Sequence, residues 1–429
     1  MKESQGASAG IPMGIANTVA QRLLHNGLKV LVKSVPNSGA VSIVGKLHAG
    51  DALAGGYSLV PTLVAHQLKM GSRKYSKREI ARMLQGMGRL GFGTDTFSFG
   101  LSAFVTASSF SDAMQLMSEL LRNPRFDGGE LALAKKQWAS DLTRRINEPA
   151  EMASNVLAGK LYESGPYAER SFAEAQAELN DIDCSMLRRF YDAHVAPHGG
   201  VISIVGDVDS EVAFALIDRY LGDWRGPTAR PIAVVAAPLP QKSRFDVPVG
   251  DEANLDVVIG RSSSVKWSNP DFCAARIGNL ILGGDTIGSR LGKIVRVKHS
   301  LTYGINSGFQ ELYVGGAPWT ISLSTDAQKV ESALELVDKV TSEFVNEGVT
   351  ELEVSSQASR AVEAFLLGLR TDMKVATTIA DLEFAGLGVE EIDLYPQRLK
   401  AVTREQVNDA IRVHFGLENA VTVVAGKVN

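Results

Sequence analysis

Apolar and polar positions along the chain fall into two recurring textures. Stretches rich in β-branched residues, "LKVLVKSVP" (28–36), "AVSIVGKLHAG" (40–50) and "FGLSAFVTASS" (99–109), read as neighbouring strands. "DAMQLMSELLRNPRFD" (112–127), with apolar residues at three- and four-residue spacing, reads as a helix. The succession then returns. "LDVVIGRSSSV" (255–265), "TYGINSGFQ" (302–310) and "WTISLST" (319–325) take the strand part, and "SALELVDKVTSEFVNE" (332–347) the helix part. Strands gathered with strands and helices with helices favour α+β layers over a doubly wound parallel sheet.

The return is a duplication. "FYDAHVAPHGGVISIVGDVD" (190–209) lies over "AIRVHFGLENAVTVVAGKVN" (410–429), pairing His194 with His414 and Gly206 with Gly426 at an offset of 220 (426 − 206). The two helical stretches above align at the same offset (332 − 112). Between the copies, "RGPTARPIAVVAAPLPQKSR" (225–244) carries Pro227, Pro231, Pro238 and Pro240, a density that sustains neither helix nor central strand. The expected architecture is two homologous α+β domains, each a largely antiparallel sheet packed with helices. They would span 16–226 and 245–429, joined by a Pro-rich linker at 227–244.

Length and composition narrow the classes. At 429 residues the chain exceeds one ordinary core, which agrees with two domains. Hydrophobic residues at 45% and charged residues at 21% are globular proportions. No apolar run reaches the roughly 18 residues of a membrane span, so a soluble protein is expected. A formal charge of −4, with no dense block of one sign, argues against a nucleic-acid partner. Cys184 and Cys273 are too few for a disulfide scaffold or a cysteine metal knuckle, and a single bridge is neither required nor excluded. The start, "MKESQGASAGIPMG", lacks the basic and apolar regions of a secretory signal, so the chain is either cytoplasmic or a mature or trimmed form.

The stretch "LVPTLVAHQLKMGSRKYS" (59–76) carries the first candidate chemistry. Pro61 suits a first helical turn, and the helix runs through Thr62 and His66 toward a stop at Gly71. Positions i, i+3 and i+4 share a face, the spacing at which zinc peptidases place two His and a general-base Glu. Here those places hold Thr62, Ala65 and His66. Zinc takes three protein ligands and no other His-x-x-x-His or Cys pair exists, so His66 alone reads as a hydrogen-bonded or half-buried structural histidine. "ILGGDTIGSRL" (281–291) lacks the Lys-Ser/Thr of a P-loop and reads as a tight turn with no nucleotide.

The wider sequence resembles the pitrilysin, insulinase and mitochondrial-processing-peptidase superfamily, the inverzincins, whose motif is H-x-x-E-H. "HAGD" before the helix and "GSRKYS" after it are similar to that family's flanks, as is "YDAHVAPHGGVISIVGDVD" closing the first half. The resemblance implies that Thr62 replaces the first ligand His and Ala65 the general-base Glu, while His66 keeps the second ligand place. Asp141 falls at the third ligand and reads instead as a solvated helix-surface Asp. It therefore implies no metal or other cofactor in this chain and no hydrolysis by it alone. The family's substrate-binding strand, Asn-Ala-x-Thr, falls on Gly93, Thr94, Asp95 and Thr96, which implies a weakened edge, and "GFG" (91–93) reads equally as a turn.

"SRLGKIVRVKHSLTYGINS" (289–307) is similar to the family stretch in which an Arg and a Tyr seven residues apart complete the active site, here Arg296 and Tyr303. Arg296 is expected near a helix end and Tyr303 at the start of the next strand, both at one edge. The implied roles are oxyanion stabilisation by the Tyr hydroxyl and substrate binding by the guanidinium. Val297 and His299 with Ser300 depart from the family's intervening Glu and Arg-Gly, and His299 reads as a helix cap. The chain is thus expected to be the zinc-free subunit of a bacterial-type heterodimeric metallopeptidase, inactive alone. A homologous subunit would carry the zinc and close clam-like on a peptide. The alternatives are a structural, non-proteolytic core-type subunit and a peptide-capture protein. A periplasmic location is expected, with the cytoplasm as alternative.

Overall fold

The computed structural model describes residues 14–54, 59–228, 232, 234, 241–250 and 254–427. Pro231, Pro238, Pro240 and most of the polar N-terminal stretch lie outside them. The first copy's β-branched stretches form β1 (Val19–Leu23), β2 (Lys29–Ser34) and β3 (Ala40–Leu47). Helices α1 (Val60–Gln67) and α2 (Lys77–Met87) follow, then β4 (Gly88–Thr94) and β5 (Phe99–Thr106). Next come α3 (Phe110–Arg122), α4 (Gly128–Ile146), α5 (Pro149–Leu161), α6 (Phe172–Leu179), α7 (Cys184–His194), β6 (Val201–Gly206) and α8 (Ser210–Leu221). Pro61 occupies the first turn of α1, and Ser76 with Glu79 closes a capping box at the start of α2. The helix expected over 112–127 stops at Arg122, because Pro124 disfavours helical backbone at Asn123 and cannot itself continue the ladder. "GFG" is not a turn but the middle of β4.

The second copy runs β7 (Ser243–Pro248), β8 (Asn254–Ser262), α9 (Phe272–Gly283), β9 (Gly304–Phe309) and β10 (Pro318–Asp326). It continues with α10 (Val330–Glu347), α11 (Glu351–Gly368), α12 (Asp372–Phe384), α13 (Glu391–Lys400), α14 (Arg404–His414) and β11 (Val421–Gly426). α7 and α14 start at 184 and 404, and β6 and β11 at 201 and 421, so the 220-residue offset read from the sequence survives in the fold. Strand β7 opens at Ser243, inside the stretch expected to be linker.

The sheets have the orders β1-β2-β6-β3-β5-β4 and β7-β11-β8-β10-β9. Neighbours are antiparallel except β2 with β6 and β7 with β11, so the two sheets follow one path and the α+β expectation holds. Among the described residues no helix is long and apolar enough to cross a membrane. Cys184 and Cys273 are both free thiols.

Each sheet is covered on one face by its own helices and on the other by a helix of the opposite copy. Val41, Ile43 and Leu47 of β3 pack in one core with Leu63 and Met114, while Val44 joins Val201, Val205, Ala376, Ile379 and Ala380 in another. Helix α12 thus lies across β3 and β6, and α5 reciprocally lies across β8 and β11. There Ala153, Leu157 and Leu161 pack with Val258, Val421 and Val423. Fully burying a Leu side chain in this way contributes about 2 kcal/mol. Small residues admit the visiting helices: Ser42 and Ser203 are fully buried on the first sheet, and a Cβ on Gly260 of the second would stand 2.7 Å from Leu157 Cδ2.

Polar contacts pin the exchange. Lys46 pairs with Asp381 at 2.7 Å and Lys29 with Glu383. The Tyr162 hydroxyl donates to the Gly316 carbonyl at 2.7 Å, and the Ala16 N–H to Asp393 at 2.9 Å. Burial works against the Lys46 charge, but Asp381 and Asp95 more than offset it and its pKa is raised.

Replacing Gly260 by Leu forces atoms into the space of Leu157 and Thr320 and is expected to cost about 1–3 kcal/mol, read as a lower urea midpoint. Gly308→Ala, where a Cβ meets nothing within 4 Å, should leave the midpoint nearly unchanged. Equal midpoints for the two variants would show that α5 is not seated on the second sheet.

Candidate functional site

Helix α1 presents Thr62, Ala65 and His66 on one face, and the surroundings of that face are set for something other than a metal. Ala65 is buried. The Thr62 hydroxyl meets the Thr94 hydroxyl of β4 at 3.2 Å, and Thr94 in turn faces the carboxyl of Asp51. Burial pushes the Asp51 pKa up to about 6, the Thr94 contact opposing it in part, and one Asp51 oxygen has no hydrogen-bond partner. A hydroxyl chain from α1 through the end of β4 to Asp51 therefore stands where ligands would converge. The sequence reading did not single out Asp51, since an Asp after a strand-ending Gly looks like any turn residue.

His66 is half-buried, as read from sequence, but its Nδ1 has no partner among the described residues. Burial first, then the nearby Lys69 and Lys77, lowers its pKa, so it is a neutral imidazole at neutral pH. Asp141 does not approach it. Its carboxylate is taken by Arg144 at 2.9 Å and Arg145 at 2.7 Å on its own helix, which holds it below the usual carboxylate range. The carboxylate whose charge reaches His66 is Glu130, itself paired with Lys77 at 2.8 Å. Among the described residues no group of three His, Cys, Asp or Glu side chains could hold a metal ion. A zinc ion does not fit this donor set, because two hydroxyls, a methyl and one imidazole cannot supply three zinc ligands.

The other candidate pair sits at the edge of the second sheet. Arg296 lies in a π-helical segment, Gly292–Lys298, rather than near the end of an ordinary α-helix, and such segments recur at functional sites. His299 takes the C-cap position of that segment and is exposed, and Ser300 turns the chain with a φ of 51°. Tyr303 precedes β9 by one residue and is 60% exposed. Thr286 links the π-helical segment to β9: its carbonyl accepts from Arg296 Nη1 at 3.4 Å and its hydroxyl accepts from the Ile305 N–H at 3.1 Å. The Tyr303 hydroxyl donates to Asp326 of β10 at 3.0 Å, and that hydrogen bond raises its pKa, so it remains a proton donor at neutral pH. Asp326, also unremarked in the sequence, is balanced by Lys329 at 2.9 Å.

The stretch expected to form a weakened substrate edge is the end of an edge strand. Among the described residues β4 ends its sheet with β5 as its one partner strand, and Gly93 and Thr94 lie within it. Asp95 leaves the strand and caps the following turn, accepting from the N–H groups of Phe97 at 2.9 Å and Ser98 at 2.7 Å. The "GGDTIG" stretch is a turn after α9, where Asp285 accepts from the Ile287 N–H at 2.8 Å.

Two outcomes follow from this geometry. Asp51 has a folded pKa above its unfolded one, so it penalises folding when ionised, from about pH 4 upward and fully above about pH 6. Asp51→Asn should then stabilise the protein by about 2–3 kcal/mol at pH 7.5, with the gain shrinking through pH 6 and absent below pH 4 in denaturation series; a pH-independent effect would contradict the assignment. Restoring two ligand positions and the base with Thr62→His and Ala65→Glu should still give no stoichiometric zinc in equilibrium dialysis, because Asp141 stays with its arginines. Tight zinc binding by that variant would show a third ligand that the geometry does not reveal.

Residues 181–360, which include Arg296 and Tyr303, match the family described as peptidase M16 inactive domain. The chain is 21% identical over 357 residues to the non-peptidase homolog YmxG of Helicobacter pylori, covering 82% of this chain and 81% of that one. It is 20% identical over 426 residues to an uncharacterised zinc protease of Mycobacterium leprae, covering 95% and 92%. The crystal structure of a peptidase M16 inactive domain from Pseudomonas fluorescens shares the fold at a TM-score of 0.88 and 25% identity, over 96% of this chain and 98% of that one. Residues 181–360 thus match the peptidase M16 inactive domain, and the chain as a whole shares the fold of a solved structure of that inactive-domain type.

Proposed function

We propose that this chain is the zinc-free half of a two-chain M16 peptidase and supplies Arg296 and Tyr303 to a site whose metal is held by a homologous partner. The observation that carries the reading is the contrast between the two candidate sites. The α1 face is filled by Thr62, Thr94 and Asp51, whereas Tyr303 stays 60% exposed with its hydroxyl protonated and donating to Asp326. An exposed phenol held as a donor suits an oxyanion that develops outside its own chain. To serve it, the hydroxyl exchanges the Asp326 carboxylate for the substrate oxygen, while the guanidinium of Arg296 binds a substrate carbonyl or carboxylate.

A second reading, peptide capture without cleavage, is favoured by the free edge of β4, which could accept an extended chain by strand addition. The two readings separate in one experiment on an unstructured peptide. This chain, a zinc-motif family member from the same organism, and their mixture are assayed side by side. Cleavage requiring the mixture, reduced about a hundredfold by Tyr303→Phe, is the expected result. Cleavage by the zinc chain that is indifferent to this one, with peptide binding by this chain alone, would replace the subunit reading by capture.

A further inference from the structure

Helix α5 covers only part of the second sheet, and the uncovered part leads to Tyr303. Val258 of β8 lies under the helix with Ala153 and Leu157. On the same face Val258 stands opposite Ser322 of β10, and Ser322 opposite Asn306 of β9. One row along, Ser324 stands opposite Gly304, the residue after Tyr303, and its carbonyl accepts from the Tyr303 N–H at 3.0 Å. Ile321 and Leu323, which alternate with these residues along β10, belong to the core on the other face. The result is a trough of about 290 Å³, floored by β9 and β10 and walled by Ala150 and Ser154 of α5.

The polar groups of this floor are unused. The Ser322 and Ser324 hydroxyls and the Asn306 amide have no hydrogen-bond partner among the described residues. Thr320, two residues before Ser322 on the same face, is only 7% exposed, and its hydroxyl lacks a partner as well. Gly304 and Gly308 of β9 flank Asn306 on this face, and packing does not account for them. Neither has a positive φ, a Cβ on Gly308 would meet nothing within 4 Å, and one on Gly304 would meet only the Thr286 hydroxyl at 3.7 Å. Glycine inside a strand weakens it, and where no bulge or turn requires one it marks the close approach of another group. Asp256, opposite Ser324, is the one charged residue of the lining, so the trough disfavours a carboxylate side chain.

We infer that this trough is the subsite for the substrate residue beside the cleaved bond, and that it selects a small hydrogen-bonding side chain, Ser, Thr or Asn, over an apolar one of similar size. The inference rests on the Tyr303 reading above and gives that site a substrate class. The volume suits one or two small residues, being just below the range of drug-sized sites. A Thr hydroxyl laid on the floor pairs with the Ser322 hydroxyl or the Asn306 amide. A Val in its place covers those groups and leaves them unpaired, which is the larger penalty.

The test mixes the full chain with a zinc-motif family member from the same organism and follows kcat/KM. The bond cleaved in one unstructured peptide is located by mass spectrometry, and the residues flanking it are then set to Thr or to Val. Thr should exceed Val by about tenfold, the order of one hydrogen bond left unmade. Ser322→Ala and Asn306→Ala, which remove only atoms facing the trough, should bring that ratio toward one while the melting temperature holds. The preference of the partner chain is the same throughout and cancels in this comparison. A ratio near one in the wild type, or a ratio unchanged in both variants, with cleavage still lost in Tyr303→Phe, overturns the trough and leaves the subunit reading intact. Cleavage by the zinc-motif chain that is indifferent to this chain overturns both.

Discussion

Helix α12 lying on the first sheet and α5 on the second is the contact from which the remaining geometry follows. Without it, Leu31, Val44, Val201 and Val205 on one sheet and Val258, Val421 and Val423 on the other would face water as contiguous apolar patches, which soluble chains rarely leave exposed. Exchange buries both patches at once and ties each copy to the other. It also places Asp381 and Glu383 at the C-terminal end of α12, where the helix dipole disfavours negative charge. Lys46 and Lys29 of the first sheet offset that cost, so the seam is held by apolar area and by ion pairs formed across it.

The α1 face is filled rather than vacant. Single ligand losses would leave an imidazole and a carboxylate facing a void. Here Thr62 and Thr94 share a hydrogen bond, Ala65 is packed, and burial raises the pKa of the neighbouring Asp51 carboxyl. Asp141 is paired with Arg144 and Arg145 on its own helix. The Arg296 and Tyr303 edge has the opposite character, with a solvent-facing phenol whose acceptor, Asp326, lies on the neighbouring strand and can be exchanged. The proposed split site asks for this contrast, a donor free to act at one edge and no metal donor set at the other.

Much of this was legible in the chain. The strands at 28–36, 40–50 and 255–265 follow from β-branched clustering, and the duplication from two alignments at one offset, because a repeated fold repeats its apolar positions. The helix exchange was not legible. Ala153, Leu157 and Leu161 mark an apolar face without saying which sheet it covers, and that choice depends on connections far apart in sequence. The π-helical segment around Arg296 was missed because one extra residue per turn leaves no clear mark in the periodicity of "GKIVRVK". Asp141 was readable in principle as a surface group, since arginines at i+3 and i+4 are its natural partners on a helix. Asp51 carried no such signal, for its raised pKa comes from burial by residues distant in the chain.

The central claim is that Tyr303 works at a metal held by another chain, and distance is its most direct measure. With 3-fluorotyrosine at position 303 and cobalt in the metal site of a zinc-motif partner, the fluorine signal should broaden strongly when the two chains are mixed with a peptide, and a zinc-loaded partner should leave it sharp. A signal equally sharp with cobalt and with zinc, in a mixture shown to form a complex, would place Tyr303 away from the metal and contradict the split site.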